Sequence, residues 1–436
     1  MSKKLALFGG RPVIDREFVK YQSIGEEEEN AVLKVMRSGV LSAYIASPGE
    51  GFMGGKEVRS LEKEAQRYFG VRHAIVVNSW TSGLIAAIGA IGIEPGDEVI
   101  TTPWTMSATA TAILHWCGIP IFADIDRHTF NIDPKSVERN ITPRTKAVIA
   151  VDIFGQSADV LRLRQICDKY NLMLISDTAQ APGAMVNNSF AGTLADIGGF
   201  SLNYHKHIHC GEGGILVTNN DKLADRLRLI RNHAEVVIND GSPEHLSNML
   251  GFNFRMGEIE ASIARVQLSK LKSRISSRQE IAQKINSCLG ELHGIKSPYI
   301  EDGNTHVYYV YGCIVDSEET GVHRDKIIEA LRAEGVPGLS VGYQNIHLLP
   351  AYIQRVAYGT SGFPWTSKYV DREVIYCKGL CPIAEELHEQ SFFGLNLCMF
   401  ELNDEDVNQI LESFRKVWNN LDQLRNNDGT EGTYSD

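Results

Sequence analysis

Short apolar runs alternate with helical patterns between residues 74 and 218, and this alternation restricts the fold more than any other feature of the sequence. Seven such runs occur: AIVVNS, DEVITT, IPIFADI, AVIAVDIF, LMLISD, GGFSL and GILVT. Runs that are apolar almost throughout predict strands buried on both faces, as in a parallel sheet covered by helices. Helical patterns at 81–91, 107–116 and 158–169 lie between them. The pattern predicts an α/β fold with a mostly parallel seven-stranded sheet, whose ligand binds at the carboxyl ends of the strands.

The length of 436 residues predicts more than one domain, because a single ordinary core is smaller than this. Two helical patterns, at 257–272 and 277–292, connect the large domain to a region that reads as α+β. The predicted segments are an N-terminal arm, a large domain, a smaller C-terminal α+β domain and a polar, disordered tail: residues 1–25, 26–275, 276–425 and 426–436.

Charge and hydropathy exclude several classes of partner. The formal net charge of -11 argues against a nucleic-acid surface. No apolar run reaches membrane-spanning length, and the short apolar patch after the first lysines is too quickly interrupted for a signal peptide. The eight cysteines are scattered, and without an export signal we expect free thiols in a reducing cytoplasm.

Two ionisable residues follow predicted strands. Asp177 ends the run LMLISD, and Lys206 follows GGFSL and precedes the glycine-rich GEGG. Taken singly, Asp177 could cap a helix and Lys206 could be a surface lysine. Together they match the needs of pyridoxal phosphate (PLP), in which a lysine amine forms a Schiff base and a carboxylate keeps the pyridine nitrogen protonated.

The surrounding sequence resembles the DegT/DnrJ/EryC1/StrS family of sugar aminotransferases, which are PLP-dependent enzymes of fold-type I. Members carry a DxAxA-x-GA strand end and an FS-x4-K-x4-GEGG lysine loop. Here these are DTAQAPGA from Asp177 and FSLNYHKHIHCGEGG from Phe200. The blocks NSWTSG, PWTM, RNH and GFNFRM agree in the same order, and the resemblance covers roughly residues 25 to 420.

The resemblance implies a role for each matching residue. Lys206 holds the cofactor and shuttles a proton, Asp177 pairs with the pyridine nitrogen, and Gln180 lies near the ring hydroxyl. The phosphate is bound by three hydroxyl residues and by an asparagine from the partner of a homodimer: Thr81, Ser82, Ser201 and Asn253. Thr81 and Ser82 open a predicted helix, whose free N–H groups favour an anion.

The sequence departs from the family in two places. The family stacks an aromatic residue on the cofactor ring where this chain has Met106, and an aromatic occurs two residues earlier as Trp104. Met106 packs through its polarizable sulfur in one interpretation, and Trp104 is either a ring contact or a core aromatic. The Gly- and Ser-rich stretch 42–55 is longer than its family equivalent. With Tyr44 and Phe52 it is either a mobile specificity loop or a surface excursion.

The expected reaction is a ping-pong transamination from glutamate to a keto-sugar, in the biosynthesis of amino sugars, lipopolysaccharide or surface polysaccharide. A nucleotide-linked keto-sugar is the expected substrate. A free keto-sugar acid, such as an 8-oxo-3-deoxy-octulosonate, stays open as the alternative. A PLP-dependent dehydratase of the family would replace the lysine with histidine, and a non-catalytic regulator would not need the whole residue set.

Three histidines alternate in the lysine loop: His205, His207 and His209. On a strand this spacing would place three imidazoles on one face, which is a possible metal site. No carboxylate or second cluster completes it, and the PLP motif already accounts for the segment. We therefore predict no metal.

Overall fold

A computed structural model describes residues 4–238 and 246–425 of the chain, so the predicted tail 426–436 lies outside the described residues. The strands are β1 His73–Val77, β2 Glu98–Thr101, β3 Ile119–Phe122, β4 Thr145–Val151, β5 Met173–Asp177, β6 Met185–Val186, β7 Ser189–Phe190, β8 Ile197–Ser201, β9 Gly214–Thr218, β10 Ile295–Lys296, β11 Tyr311–Val315, β12 Leu339–Val341 and β13 Phe392–Leu395.

The α-helices span Glu26–Ser38, Lys56–Phe69, Trp80–Ala90, Ala108–His115, Pro134–Asn140, Val160–Tyr170, Asp221–Arg231, Glu235–Ile238, Glu258–Leu289, Ser317–Thr320, Arg324–Ala333, Pro350–Ile353, Pro382–Glu386, Asp404–Trp418 and Leu421–Arg425.

The large sheet has seven strands in the order β1-β9-β8-β5-β4-β2-β3. Each of the seven apolar runs supplies one of them, which confirms the predicted mostly parallel sheet. Only β9 runs antiparallel to its neighbours β1 and β8. Helices cover both faces, and the strands are buried almost throughout, which explains why their sequences do not alternate.

The second sheet is antiparallel, with four strands in the order β10-β11-β13-β12. Helices Arg324–Ala333 and Asp404–Trp418 pack against it around a core that includes Tyr311, Phe393 and Phe414. The predicted smaller α+β region is therefore confirmed. The strand predicted over 306–315 corresponds to β11, Tyr311–Val315. It is shorter than predicted because Tyr308 adopts a left-handed conformation with φ of 52°.

One helix prediction is wrong. The patterns 257–272 and 277–292 form a single helix, Glu258–Leu289, of 32 residues. The serines between them lower helix propensity slightly, but no glycine or proline ends the helix there. Ile275 and Arg278 lie in the middle turns of this helix, are buried, and continue its packed face. Among residues 4–238 and 246–425, no helix is both long and apolar enough to cross a membrane.

Candidate active site

A cavity of about 240 Å³ opens where strands β4, β5 and β8 end. Six of the nine residues predicted for the site line it: Thr81, Met106, Asp177, Gln180, Ser201 and Lys206. Other residues that line it include Ser79, Trp80, Thr105, Thr109, His205, Tyr309 and Tyr343. The parallel sheet brings these side chains together because the carboxyl ends of its strands lie at one edge.

Lys206 lies in the turn after β8 and points its amine into this cavity. Its Nζ donates to the Tyr309 hydroxyl at 3.4 Å and lies 4.4 Å from the centre of the Tyr309 ring. Burial lowers the pKa of Lys206 to about 8, although the charges of Asp177 and Cys398 partly oppose this shift. A lysine amine that is partly unprotonated near neutral pH can serve as a nucleophile and as a base.

Asp177 is buried at the end of β5, and both of its oxygens accept hydrogen bonds. The Trp80 indole donates to Oδ1 at 2.6 Å, and the Thr109 hydroxyl donates to Oδ2 at 2.9 Å. Burial raises the pKa of Asp177, while these hydrogen bonds and the nearby Lys206 charge oppose the shift. A carboxylate has about four lone-pair sites, so Asp177 can still accept a hydrogen bond from a ligand.

Sequence reasoning missed Trp80, although it stands inside the NSWTSG block. Its indole fills a slot made by glycines: a Cβ on Gly199 would lie 2.2 Å from the ring, and one on Gly83 would lie 2.8 Å from it. Gly199 of β8 and Gly83 of the helix itself therefore make room for the indole that holds Asp177. The GGFS run beside a tryptophan in the helix-opening block was the available signal.

The start of helix Trp80–Ala90 faces the cavity. Ser79 caps this helix, and its hydroxyl accepts from the Ser82 N–H at 3.0 Å. The Ser82 hydroxyl donates to Asn78 Oδ1 at 2.7 Å and does not line the cavity, so only Thr81 of the predicted pair does. Ser201 reaches the same cavity from the end of β8. Free N–H groups at a helix start attract an anion such as a phosphate.

Gln180 is oriented by the turn after β4. Its side-chain carbonyl accepts from the Phe154 N–H at 2.9 Å, and its amide nitrogen lies 3.5 Å from the Tyr343 hydroxyl. Phe154 holds this position with a φ of 59°, an unusual conformation for a residue with a Cβ. Gln180 therefore presents an N–H donor toward the cavity.

Trp104 does not contact the cavity, so the expectation of a ring contact does not fit its position. It is fully buried, packs against Phe130, Phe154 and Phe392, and donates to Asn345 Oδ1 at 2.9 Å. Met106 does line the cavity and is 69% exposed at its mouth. The core aromatic interpretation applies to Trp104.

Asn253 lies outside the cavity of its own chain, on the exposed surface. Its Oδ1 accepts from Arg255 Nε at 2.9 Å, and its backbone oxygen accepts from Asn78 Nδ2 at 3.2 Å. This places Asn253 beside the strand that leads to the capped helix start, with its side chain facing outward.

The stretch 42–55 is joined to the body of the protein by hydrogen bonds. Asn232 donates to the backbone oxygens of Ile45 and Phe52 at 2.9 and 3.3 Å. The Tyr44 ring lies 5.1 Å from the Arg231 guanidinium and 5.9 Å from that of Arg255. No residue of this stretch lines the cavity of the same chain. The stretch instead lies on the surface that carries Asn253.

The alternating histidines do not share a strand face, because residues 202–213 form turns and bends. His207 is buried and hydrogen-bonds to the Val307 oxygen at 2.8 Å, while His209 hydrogen-bonds to the Ser23 hydroxyl at 2.6 Å. His205 faces the cavity. Across the described part of the chain, no three His, Cys, Asp or Glu side chains are placed to hold a metal ion.

The residues of the cavity fit pyridoxal phosphate. An amine with a lowered pKa and a carboxylate with spare acceptor capacity line one cavity, and a helix start suited to a phosphate opens into it. The donor N–H of Gln180 adds a partner for a ring hydroxyl. These are the groups that hold the cofactor and tune its ring.

Comparisons with known proteins agree with this geometry. The model of the DegT/DnrJ/EryC1/StrS aminotransferase family matches residues 22–392. The spore coat polysaccharide biosynthesis protein SpsC of Bacillus subtilis is 32% identical over 90% of this chain and 95% of its own. GDP-perosamine synthase of Caulobacter vibrioides is 33% identical over 68% of this chain and 79% of its own. An aminotransferase structure from Psychrobacter cryohalolentis has a TM-score of 0.79 and 27% identity, covering 93% of this chain and all of that one.

Proposed function

Because this chain belongs to the DegT/DnrJ/EryC1/StrS aminotransferase family, we propose that it transfers an amino group from glutamate to a nucleotide-linked keto-sugar. The chain is a PLP-dependent aminotransferase. The observation that carries the proposal is the Lys206 amine, with its lowered pKa, in one cavity with the hydrogen-bonded carboxylate of Asp177.

Bound PLP supplies an electron sink for a carbanion next to its ring. Lys206 would hold the cofactor through Nζ, and its amine would move a proton at that atom. Asp177, fixed by Trp80 and Thr109, would keep a proton on the pyridine nitrogen. The remaining lining residues would orient the cofactor: Thr81, Ser201 and the helix start at its phosphate, Gln180 at its hydroxyl and Met106 at its ring.

The nucleotide-linked substrate is supported by the names of relatives. GDP-perosamine synthase acts on a nucleotide-linked sugar by its name, and SpsC is named for polysaccharide biosynthesis. A dehydratase with histidine in place of the lysine is disfavoured by Lys206. A non-catalytic role is disfavoured because Lys206, Asp177 and Gln180 all line the cavity.

We also propose that the protein is a cytoplasmic homodimer with shared active sites. Exposed apolar side chains occur in and after helix Glu26–Ser38 and near Asn253: Leu33, Met36, Val40, Leu41, Ile45 and Leu250. The Leu41 oxygen accepts from the Glu258 N–H at 3.0 Å, so the segment after this helix lies beside the start of helix Glu258–Leu289, which follows Asn253 in the chain. Exposed apolar side chains that lie close together are typical of an interface.

The amino acceptor is tested in single turnovers. The protein is first converted by glutamate to its aminated cofactor form and then mixed with nucleotide-linked 3-keto and 4-keto sugars and with a free keto-sugar acid. We expect the absorbance of PLP to return only with a nucleotide-linked keto-sugar. Return only with the free acid would replace the substrate class, and return only with small keto acids would contradict sugar amination.

The attachment residue is tested separately by borohydride reduction and peptide mapping. We expect the cofactor on Lys206, and a Lys206→Ala protein should carry no label at that peptide. Labelling of another lysine in the wild-type protein would contradict the proposed role. The amino donor is identified by absorbance. Glutamate and glutamine are each added to the PLP form, and the donor is the amino acid that bleaches the PLP absorbance.

A further inference from the structure

A second cavity, of about 460 Å³, lies between the N-terminal arm, helix Glu258–Leu289 and the segment 397–406. We call it the arm cleft. It shares no lining residue with the active-site cavity. Arg274 and Arg278 line it from successive turns of the helix, together with Tyr21 from the arm.

Arg278 is a buried guanidinium that forms no ion pair with the described residues. Only 6% of the residue is exposed, and its Nη1 is buried without a hydrogen-bond partner in residues 4–238 and 246–425. Its guanidinium lies 5.7 Å from the centre of the Tyr21 ring, and that of Arg274 lies at the same distance. The bonds of Arg274 go to neutral acceptors, namely the Ser23 and His207 oxygens and Gln267 Oε1.

The two carboxylates that line the arm cleft form no ion pair with Arg274 or Arg278. Asp406 pairs with Arg16 and also accepts from the Asn403 N–H at the start of its own helix. Glu401 is exposed and accepts only from the Gln22 N–H, at 3.4 Å. Within the described ranges, neither Arg274 nor Arg278 forms an ion pair. Like charges four residues apart on a helix repel, and a buried charge without an ion-pair partner is costly. An anion bound in the cleft would reduce both costs.

We propose that the arm cleft binds an organic oxyanion, a carboxylate or a phosphate monoester with an apolar body. The planar fork of Arg278 matches the two oxygens of either group. Ser277 and Asn403 add polar side chains at the wall, and the rest of the lining is mostly apolar: Val19, Ile281, Leu397, Phe400 and Leu402. The volume lies within the range of small-molecule sites.

Calorimetric titration of the PLP-loaded protein tests the proposal, because the cofactor already occupies the phosphate position of the active site. The probes are benzoate, phenyl phosphate and inorganic phosphate, which separate a carboxylate from a phosphate and an apolar body from none. We expect at least one of the first two to bind more tightly than inorganic phosphate. No heat from any probe up to about 10 mM would overturn the proposal.

Variants locate the binding. Arg278→Gln should weaken binding roughly tenfold to a hundredfold, because it removes charge-assisted hydrogen bonds. Lys272→Gln is the matched control, since it removes the same charge from an exposed position on the same helix outside the cleft. Arg278→Lys keeps the charge without the fork, and it should bind with intermediate affinity and keep the wild-type melting temperature. Unchanged affinity in both Arg278 variants would overturn the proposal.

Discussion

Lys206 is partly buried and Asp177 is buried, and burial favours the neutral form of each side chain. It lowers the pKa of Lys206 to about 8 and raises that of Asp177, while the charge of each residue opposes the shift of the other. The hydrogen bonds from Trp80 and Thr109 further oppose the shift of Asp177. The two donors and the attraction between Lys206 and Asp177 therefore favour the ionised form of the carboxylate, against the effect of burial.

The lowered pKa of Lys206 leads to the first prediction. In the protein without cofactor, labelling of Lys206 by an amine-reactive reagent should rise with a midpoint near pH 8, because only the neutral amine reacts. Asp177→Asn should move the midpoint below that of the wild type, since the carboxylate raises the pKa of Lys206. Peptide mass spectrometry across pH measures both, with the exposed Lys272 as an internal reference. A midpoint near the ordinary lysine value of about 10.4 would contradict the burial argument.

Trp80→Phe tests how the carboxylate is held. The phenyl ring still occupies the glycine slot, but the 2.6 Å hydrogen bond to Asp177 is lost, so the pKa of Asp177 should rise. We expect the glutamate half-reaction to slow roughly tenfold to a hundredfold, as for a lost hydrogen bond to a charged group, with a nearly unchanged melting temperature.

Asp177→Asn provides the scale for this measurement. Its neutral amide cannot keep the pyridine nitrogen protonated, so it should slow the half-reaction more than Trp80→Phe does and affect folding less than it affects the rate. A Trp80→Phe protein that reacts at the wild-type rate would show that Thr109 alone suffices. An Asp177→Asn protein that reacts at the wild-type rate would show that Asp177 is not the partner of the pyridine nitrogen.

The predicted residues that line the cavity stand at strand ends, in the turns after them or at a helix start, where the chain direction determines which edge of the sheet they reach. Thr109 was missed because nothing in its local sequence shows that it meets the carboxylate of β5, 68 residues away, and Trp80 had only the indirect signal of the glycines in GGFS. Trp104 stayed open between a ring contact and a core aromatic for a related reason. Its sequence position two residues before Met106 does not tell whether the side chain turns to the core or to the cavity.

At the scale of elements, burial on both faces made the seven large-sheet strands predictable. The small sheet was less predictable, because β10 and β12 are only two and three residues long and are too short to show an apolar run. The division of helix Glu258–Leu289 failed because a run of serines lowers propensity without ending a helix. The stretch 42–55 shows the same limit, since its glycines and serines suggested mobility while Asn232, far along the chain, fixes it.

We predict that the tip of the stretch 42–55 contributes to binding of the keto-sugar. The Ile45 N–H donates to the Gly51 oxygen at 3.0 Å, so residues 46–50 form a closed tip that two glycines can replace without moving Tyr44. We expect KM for the keto-sugar to rise about tenfold, as for the loss of one or two hydrogen bonds, because this surface also carries Asn253. The glutamate half-reaction should change little, since glutamate needs mainly the cofactor cavity.

Steady-state and single-turnover kinetics with both substrates distinguish the outcomes. Glu50→Gln is the control, because the replacement also removes the exposed ion pair of Glu50 with Arg59, which should contribute little. Equal loss in both half-reactions would indicate damaged folding or cofactor binding. Unchanged kinetics would leave the stretch without a role in sugar recognition.

At the scale of the whole molecule, one chain does not bring all the predicted residues to its own cavity. Asn253 and the stretch 42–55 lie together on an exposed, partly apolar surface that is separate from the cavity lining. In a two-fold symmetric dimer the same surface serves both subunits, so residues that are remote in one chain can complete the site of the other. This arrangement would explain why Asn253 of the family-like block GFNFRM is exposed while Met256 of the same block is buried.

Subunit mixing tests this arrangement. Lys206→Ala and Asn253→Ala proteins, each shown to have lost most activity alone, are mixed in equal amounts and allowed to exchange. If Asn253 serves the partner's site, each mixed dimer pairs an intact Lys206 from one chain with an intact Asn253 from the other. Random exchange then makes about a quarter of all sites intact, and activity should return to that extent. Native mass spectrometry must show the mixed dimer. If it does so and no activity returns, Asn253 acts within its own chain or not at all, whereas a protein that stays monomeric at assay concentration would refute the dimer itself.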